Sequence, residues 1–364
     1  MPKKRWVLLN PGPVNVTPRV RHALLGPDIC HREPEFSELL RKTKEALLGL
    51  FKISKTHQVA VFTGSGTTAL EAMLSSLAQD RKKILVLSNG VYGERMHEIL
   101  TRQDFPVAFL PAGMGEFPEF DNIEKILKSD ASIHGIAVVH HETSSGMLNP
   151  LAKVASLAKK YKKTLLVDAI SSLGAETIDL KNIGFLAGVS GKCVHGFPGV
   201  SWVILSHDEA KKLKNKKSKS LYLDLDNTLT LEEKNDTPFT PAVQIFYALE
   251  EALDELIEEG LKNRIKNYAK KAALVQEGLE ALGVRCVIED KNLRSNVLSA
   301  FWLPSSLNYE KLHDGLKKNG FVIYAGQSKL KDKIFRISNL GDMSLSDLSR
   351  FLKIFAKFLK AGRS

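Results

Sequence analysis

Short apolar segments alternate with helical patterns through the middle of the chain. The apolar runs with the length of strands are residues 58–63, 83–87, 133–140, 164–167 and 200–205. Helical spacing of apolar positions covers residues 69–77, 93–100 and 151–161. Continuous apolar strands are typical of sheets buried on both faces, so the alternation predicts an α/β fold with a mostly parallel sheet flanked by helices.

Beyond Pro241 the pattern changes to long amphipathic helices followed by short strands. Helical spacing covers residues 242–261 and 263–282, and strand-like runs follow at 284–288, 297–302 and 321–324, with a helix between the last two and a closing helix. We therefore expect a small α+β domain over residues 245–364. A large domain over residues 16–244 and an N-terminal arm over residues 1–15, joining the small domain, would precede it.

Composition limits the classes of function. The chain has 364 residues with 43% apolar content, enough to bury the cores of two domains. Its formal charge of +11 is carried largely by lysine runs at 211–219 and in the closing amphipathic helix. A basic surface suits anionic ligands. Because no zinc-finger spacing or aromatic RNA-binding motif accompanies it, we expect no nucleic-acid partner.

The location of the protein and its metal content are also constrained by the sequence. No apolar run is long enough to span a membrane, and the charged start Met-Pro-Lys-Lys-Arg-Trp lacks the apolar region of a signal peptide. We therefore expect a cytoplasmic protein with no membrane segment. The three cysteines, Cys30, Cys193 and Cys286, are too few and too scattered for a disulfide framework or a structural zinc site.

One lysine in a Gly-rich loop is the most specific chemical signal. Lys192 lies in the run Gly-Val-Ser-Gly-Lys-Cys-Val-His-Gly-Phe-Pro-Gly, and Asp168 ends the predicted strand before it. A buried lysine amine loses its proton readily and can bond covalently to an aldehyde cofactor. A carboxylate can keep the ring nitrogen of pyridoxal phosphate protonated. The pair therefore indicates pyridoxal phosphate chemistry, although neither residue is specific alone.

Two further segments have the composition of ligand-binding loops. Residues 63–68, Thr-Gly-Ser-Gly-Thr-Thr, join a predicted strand to a helix, where backbone amides and hydroxyls can bind a phosphate. An ordinary helix cap would have the same composition. Tyr92 lies between two glycines after another strand, so its ring can stack on a planar cofactor or pack in a surface turn.

Polar residues that follow a third strand suit a ligand better than a metal. His140 and His141 are adjacent, so they point to opposite faces of the strand, and no further ligand completes a metal set. Thr143 follows at the carboxyl end of the strand, where ligands bind above parallel sheets. Arg336 lies in an apolar run of the second domain. It needs an anionic partner there, either an internal carboxylate or an acid group of the substrate.

Together these residues resemble the class V branch of fold-type-I pyridoxal phosphate enzymes over nearly the whole chain. The resemblance implies a mostly parallel, seven-stranded sheet, Lys192 as the Schiff-base lysine and Asp168 as the partner of the ring nitrogen. It assigns Ser65, Gly66 and Thr67 to the phosphate, Tyr92 and Ile170 to the two faces of the ring, and Thr143 to its phenolic oxygen. It further assigns Arg336, Gly12 and Arg32 to the substrate. Thr240 would reach the phosphate in the neighbouring subunit of a homodimer.

Within the branch, the sequence has features of two groups of transaminases. Residues 141–150, 191–199, 220–225 and 321–326 resemble those of 2-aminoethylphosphonate–pyruvate transaminases, which favours that donor with pyruvate as acceptor. Residues 30–36, Cys-His-Arg-Glu-Pro-Glu-Phe, resemble instead the alanine–glyoxylate and serine–pyruvate transaminases. Gly191 departs from the branch, whose members usually have a polar residue before the lysine, and one phosphate contact is therefore in doubt.

Two other classes of function remain as alternatives. Cysteine desulfurases and selenocysteine lyases resemble this fold but need a reactive cysteine in a loop of the second domain. Residues 325–332 contain none, and Cys286 lies in a predicted strand. A non-enzymatic basic binding protein on the same scaffold would have lost Lys192 or Asp168, and both are present.

Overall fold

The computed structural model describes residues 5–79, 82–327 and 330–363. Its strands are β1 Val7–Leu8, β2 His57–Gly64, β3 Lys83–Ser88, β4 Val107–Pro111, β5 Ile133–Val139, β6 His141–Glu142, β7 Met147–Leu148, β8 Thr164–Asp168, β9 Phe185–Val189, β10 Gly199–Ser206, β11 Leu298–Trp302, β12 Phe321–Val322, β13 Tyr324–Ala325 and β14 Ile334–Ser338. Its α-helices are α1 Pro18–Ala23, α2 Pro34–Leu50, α3 Gly66–Ala78, α4 Val91–Arg102, α5 Phe120–Ser129, α6 Leu151–Lys160, α7 His207–Leu213, α8 Leu225–Glu232, α9 Val243–Glu259, α10 Leu261–Ala281, α11 Tyr309–Lys318 and α12 Leu345–Arg363. Residues 1–4 of the predicted arm and 328–329 of the loop without cysteine lie outside the described residues.

Seven strands form the central sheet, in the order β2-β10-β9-β8-β5-β3-β4. Strands β4, β3, β5, β8 and β9 are parallel to one another, whereas β10 is antiparallel to both β9 and β2. Strand β2 therefore runs in the same direction as the parallel set. The predicted α/β class with a mostly parallel sheet is confirmed.

Alternate residues of the central strands belong to two separate apolar cores. Val59 and Val61 pack on one face with residues of α2, α6 and α9, whereas Ala60 and Phe62 pack on the other with residues of α3 and α4. Successive side chains of a strand point to opposite faces, so helices cover the sheet on both sides. Burial on both faces explains why these strands appear in the sequence as continuous apolar runs.

A third core lies in the C-terminal part of the chain. It is built by α10, α11 and α12 against the antiparallel sheet β11-β14-β13, and β1 joins it by pairing in parallel with β12. Helix α9 instead contributes Phe246 and Leu249 to the first core. The predicted domain bounds stay a prediction. Within the described residues, no helix is long and apolar enough to cross a membrane.

Two strands of the central sheet were not predicted, and two strands predicted in the C-terminal part differ from the structure. Strands β4 and β9 are short; β4 ends in a proline, and β9 has alanine and glycine among its apolar residues, so neither has a strong pattern. Residues 284–288 form a single bridge, from Cys286 to Phe301, before the chain turns into a 3-10 helix. The predicted strand 321–324 divides at Ile323, because its two halves pair with different sheets.

We expect the third core to depend on its stacked aromatic rings. Phe355 is fully buried, with its ring 5.4 Å from that of Phe335 and 5.9 Å from that of Phe351. Phe355→Ala should lower the free energy of unfolding by about 3–5 kcal/mol, because it leaves a cavity. Chemical denaturation would measure the change. The exposed Leu345 provides a control, since Leu345→Ala should change stability by less than about 0.5 kcal/mol. Equal effects of the two substitutions would contradict this packing.

Candidate active site

Five connecting segments meet at one edge of the central sheet. They follow the carboxyl ends of β2, β3, β5, β8 and β9, and these strands all point the same way. Ligands of open α/β sheets bind outside the carboxyl ends of the strands. Residues predicted from the sequence to bind a cofactor or a substrate lie in these segments or, for Asp168, at the last position of the strand: Ser65, Tyr92, Thr143, Asp168 and Lys192.

Asp168 is buried and Lys192 is partly buried. Asp168 is 4% exposed, and its Oδ1 accepts a hydrogen bond of 2.9 Å from the amide of Ile170. Burial raises the pKa of Asp168 to about 6 and lowers the pKa of Lys192. Lys192 Nζ donates to the carbonyl oxygen of Pro11, so the N-terminal segment lies directly over the lysine. A lysine whose pKa is lowered can act as a nucleophile and as a base.

Gly12 lies against this lysine. A side chain at Gly12 would collide with Nζ of Lys192, and its φ of +119° is a conformation that L residues rarely adopt. The backbone conformation therefore favours glycine at this position, and the lysine amine would have to move to admit a side chain. Gly12 was predicted to contact the substrate, and the structure brings it to the amine that would react there.

The start of helix α3 is open to an anion. The first amides of a helix have no acceptor within the helix, and the side chain of Ser65, the N-cap residue, makes no capping hydrogen bond. A Cβ at Gly66 would lie 2.7 Å from Cδ1 of Ile170, so the glycine lets this loop approach the segment after Asp168. Ser65, Gly66 and Thr67 thus combine free amides with two hydroxyl groups next to Ile170, as a phosphate requires.

Tyr92 is held at the start of helix α4 by a residue that the sequence did not single out for binding. Glu142 is completely buried, and its Oε2 accepts a hydrogen bond of 3.1 Å from the amide of Tyr92. Arg95, also missed, places its guanidinium carbon 4.9 Å from the centre of the Tyr92 ring. Burial has the largest effect on the pKa of Asp168 and of Lys192; the positive charge of Arg95 opposes the rise at Asp168 and adds to the decrease at Lys192.

Arg336 is buried without an anionic partner. Its side chain is 0% exposed, and Nε donates to the carbonyl oxygen of Ala325 at 2.9 Å. Its Nη1 donates to the carbonyl oxygen of Thr143 at 3.0 Å and to Oε1 of Gln327 at 3.1 Å. Its Nη2 has no hydrogen-bond partner, and among the described residues no carboxylate forms an ion pair with it. Since a buried charge requires compensation, Nη2 is available to an external acid group.

Two predicted residues lie outside this group. Arg32 is about half exposed; its side chain pairs with Asp236 and donates to the carbonyl oxygen of Thr237 at 2.6 Å. Thr240 is exposed. Among the described contacts of the single chain, none joins Arg32 or Thr240 to Lys192, and their predicted roles stay predictions.

The two histidines have internal partners. Nδ1 of His140 lies 3.0 Å from Oγ of Ser172, and Nδ1 of His141 lies 3.1 Å from Oγ of Ser171. Burial lowers the pKa of His140 to about 4 and that of His141 to about 3. Both rings are therefore neutral at physiological pH.

Cys193 and Cys286 are buried, whereas Cys30 is exposed. Burial raises the pKa of Cys193 to about 12, and burial also raises the pKa of Cys286. A reactive cysteine needs a lowered pKa, so neither thiol has the environment of a desulfurase nucleophile.

The absence of a side chain before Lys192 has a packing reason. A Cβ at Gly191 would lie 2.9 Å from both the amide nitrogen and Cα of Pro198. Backbone atoms cannot move aside as a flexible side chain can, so Pro198 occupies the space that a polar residue would need. The glycine before Lys192 is thus a consequence of how the lysine loop closes on itself, and its effect on phosphate binding stays a prediction.

The site as a whole fits pyridoxal phosphate. An open helix terminus for phosphate, a buried carboxyl group, a partly buried lysine and a buried guanidinium with an unpartnered Nη2 lie around one sheet edge. These features define a pyridoxal phosphate enzyme of fold type I.

Comparison with known proteins identifies the family. The family described as aminotransferase class-V matches residues 23–343. The 2-aminoethylphosphonate–pyruvate transaminase of Bacillus cereus strain Q1 is 34% identical over 369 residues, covering 100% of both chains. An aspartate aminotransferase of subgroup IV from Thermus thermophilus has a TM-score of 0.89 at 28% identity, covering 97% of this chain and 99% of that one. An alanine–glyoxylate aminotransferase from Nostoc sp. shares the fold, with a TM-score of 0.91 at 24% identity and coverage of 99% and 96%.

The chain belongs to the class-V aminotransferase family, and it is a pyridoxal-phosphate-dependent aminotransferase. The family and the enzyme class predicted from the sequence are therefore confirmed. The roles of individual site residues stay predictions.

The raised pKa of Asp168 predicts a specific pH dependence of stability. Folding raises the pKa of Asp168 from 3.8 to about 6, so the folded protein loses stability as pH rises between these values. Asp168→Asn removes this loss. The cofactor-free variant should be more stable than the cofactor-free wild type by ~3 kcal/mol at pH 7 and nearly equal to it below pH ~4.

Urea denaturation at several pH values would measure this difference. Asp208, which is 87% exposed, provides the matched control, and Asp208→Asn should keep the wild-type pH dependence. If the free energies of unfolding of Asp168→Asn and wild type change in parallel with pH, burial does not raise the pKa of Asp168.

Proposed function

We propose that this aminotransferase transfers the amino group of 2-aminoethylphosphonate to pyruvate, with the two substrates using the same site in turn. The observation that carries the proposal is the fully buried guanidinium of Arg336 with its unpartnered Nη2. Both substrates carry an anionic group that could compensate this charge. The full-length relative named as a 2-aminoethylphosphonate–pyruvate transaminase supports this choice of donor.

The residues of the chain would divide the work as follows. When bound, pyridoxal phosphate would supply an aldehyde carbon that carries the amino group from donor to acceptor and an electron-withdrawing ring that stabilises negative charge. Lys192, whose pKa is lowered by burial, would hold the cofactor and then remove a proton from the donor carbon that bears the amine. Asp168 would keep a proton on the ring nitrogen. Ser65, Gly66 and Thr67 would bind the phosphate.

Further residues would orient the substrates and the ring. Arg336 would bind the phosphonate of the donor and later the carboxylate of pyruvate. Tyr92 and Ile170 would pack against the two faces of the ring, and Thr143 would bond to its phenolic oxygen. Gly12 would leave room for the substrate beside Lys192, where a side chain would collide with the amine.

A homodimer belongs to the proposal. Thr240 would reach the phosphate of the neighbouring subunit, and Arg32 is tied to the same segment through Asp236 and Thr237. This contact would place Arg32 at the neighbouring site together with Thr240. Both residues are exposed in the single chain, as they must be if they contact the site of the neighbouring subunit.

The donor can be identified by a half-reaction. Purified protein loaded with cofactor should lose its visible cofactor absorbance rapidly on addition of 2-aminoethylphosphonate, and addition of pyruvate should restore it. L-alanine and L-serine should react slowly or not at all. Rapid reaction with alanine or serine, and none with the phosphonate, would assign the enzyme instead to the alanine–glyoxylate and serine–pyruvate group that residues 30–36 resemble.

Arg336→Gln should weaken the binding of both substrates without weakening the binding of the cofactor. Removing the charge should lower kcat/KM by about 10²–10³-fold, because a buried anion would lose its partner at a cost of about 3–5 kcal/mol. Steady-state kinetics and cofactor titration would separate the two effects. Arg294 is the matched control, because its side chain is only 7% exposed but pairs with Glu280 at 2.7 Å. Arg294→Gln should reduce stability and leave KM nearly unchanged. An unchanged KM in Arg336→Gln would give Arg336 a purely structural role.

A further inference from the structure

The first amides of helix α4 are satisfied by a loop about fifty residues away in the sequence. Oγ of Ser144 lies 3.4 Å from the amide of Val91, and Oε2 of Glu142 accepts from the amides of Tyr92 at 3.1 Å and Gly93 at 3.4 Å. The first amides of a helix always need external acceptors. Helix α4 is thus closed by protein groups, in contrast to the open start of helix α3.

Glu142 uses its other oxygen to fix its own loop. Oε1 accepts from the amide of Ser144 at 3.1 Å and from its hydroxyl at 2.5 Å. The carbonyl oxygen of Thr143, between these two residues, accepts a hydrogen bond of 3.0 Å from Nη1 of Arg336. One buried carboxylate therefore connects the backbone of Tyr92 with the backbone that orients Arg336.

The packing around this carboxylate leaves little freedom. A Cβ at Gly90 would lie 2.6 Å from Cγ and Cδ of Glu142 and would collide with Oγ of Ser144. The φ of Gly90 is 173°, an extended value open to any residue, so only the neighbouring side chains require glycine there. Glu142 and Ser144 are both less than 5% exposed.

We propose that Glu142 is a positioning residue that fixes Tyr92 and Arg336 relative to each other. It sets the place of the ring that would pack on the cofactor and of the cation that would bind the acid group of the substrate. The inference rests on the proposed roles of Tyr92 and Arg336, but not on the identity of the donor. A simple helix cap would stabilise α4 without affecting how the cofactor is held.

Glutamine in place of Glu142 keeps the size of the side chain but not its pattern of acceptors. Its NH2 group cannot accept a hydrogen bond, so either the amides of Tyr92 and Gly93 or the amide of Ser144 must lose their partner. A displacement of about 1 Å in a positioned group can cost about 10²-fold in rate. We therefore expect Glu142→Gln to affect cofactor and substrate together.

The test uses the cofactor-loaded protein. Glu142→Gln should weaken the circular dichroism of the bound cofactor in the visible region, because this signal depends on how the ring is packed. It should also raise the dissociation constant of pyridoxal phosphate several-fold and lower kcat/KM by about 10²-fold. Glu142→Asp, which keeps both acceptor oxygens, should recover part of each loss.

A second substitution displaces the carboxylate without removing it. Gly90→Ala should push Glu142 and Ser144 away from α4 and reproduce the effects of Glu142→Gln. This variant decides the question if Glu142→Gln does not fold. Glu176 is the matched control, since it is a buried carboxylate that accepts from Ser295 and Asn296. Glu176→Gln should lower the melting temperature but leave the cofactor signal unchanged.

The outcomes separate the two proposals. Wild-type circular dichroism and cofactor affinity in both Glu142→Gln and Gly90→Ala would overturn the positioning role, whatever the loss of stability. An equal loss of signal in Glu176→Gln would overturn it too, because any buried carboxylate would then have the same effect. If the wild-type enzyme does not react with 2-aminoethylphosphonate, the proposed donor is wrong. The circular dichroism and the affinity of the bound cofactor still test the role of Glu142.

Discussion

Burial of a carboxyl group and an amine at one edge of the sheet is the constraint on which the rest of the site depends. Removing water from Asp168 raises its pKa, and removing water from Lys192 lowers its pKa. Each shift costs stability in the cofactor-free protein, because each group loses solvation of its charged form. A bound cofactor would offset this cost, since its ring nitrogen would pair with Asp168 and its aldehyde would bond to Lys192. A rigid sheet covered by helices on both faces can hold groups that the isolated chain would expose.

The two parts of the chain meet through backbone contacts as well as side chains. Arg336 comes from the antiparallel sheet of the C-terminal part, yet its guanidinium bonds to the carbonyl of Thr143 at the edge of the central sheet. The N-terminal segment adds the carbonyl of Pro11 over Lys192. Three distant parts of the sequence thus surround one reactive amine. Movement of either part relative to the other would alter the distance between the amine and the unpartnered Nη2.

Much of this arrangement could be predicted from the sequence, because several reactive or ligand-binding residues lie in recognisable local patterns. Lys192 in a glycine-rich loop, Asp168 at the end of an apolar run and the polar start of helix α3 are each visible within a few residues. Long-range partners could not be predicted. Nothing in the sequence near Glu142 indicates that it accepts from Tyr92, and an apolar run shows that Arg336 is buried but not that its Nη2 lacks a partner. Short strands such as β4 and β9 depend on pairing with neighbours, so their own sequences predict them weakly.

The most direct test of the site is to locate the covalent attachment of the cofactor. Protein loaded with pyridoxal phosphate would be reduced with borohydride, digested, and analysed by mass spectrometry for peptides that carry the reduced cofactor. A single labelled peptide with the modification on Lys192 is the expected result. Labelling of a different lysine as the main product, or no stable labelling of a protein that has taken up the cofactor, would contradict the assignment of Lys192 and with it the organisation of the site.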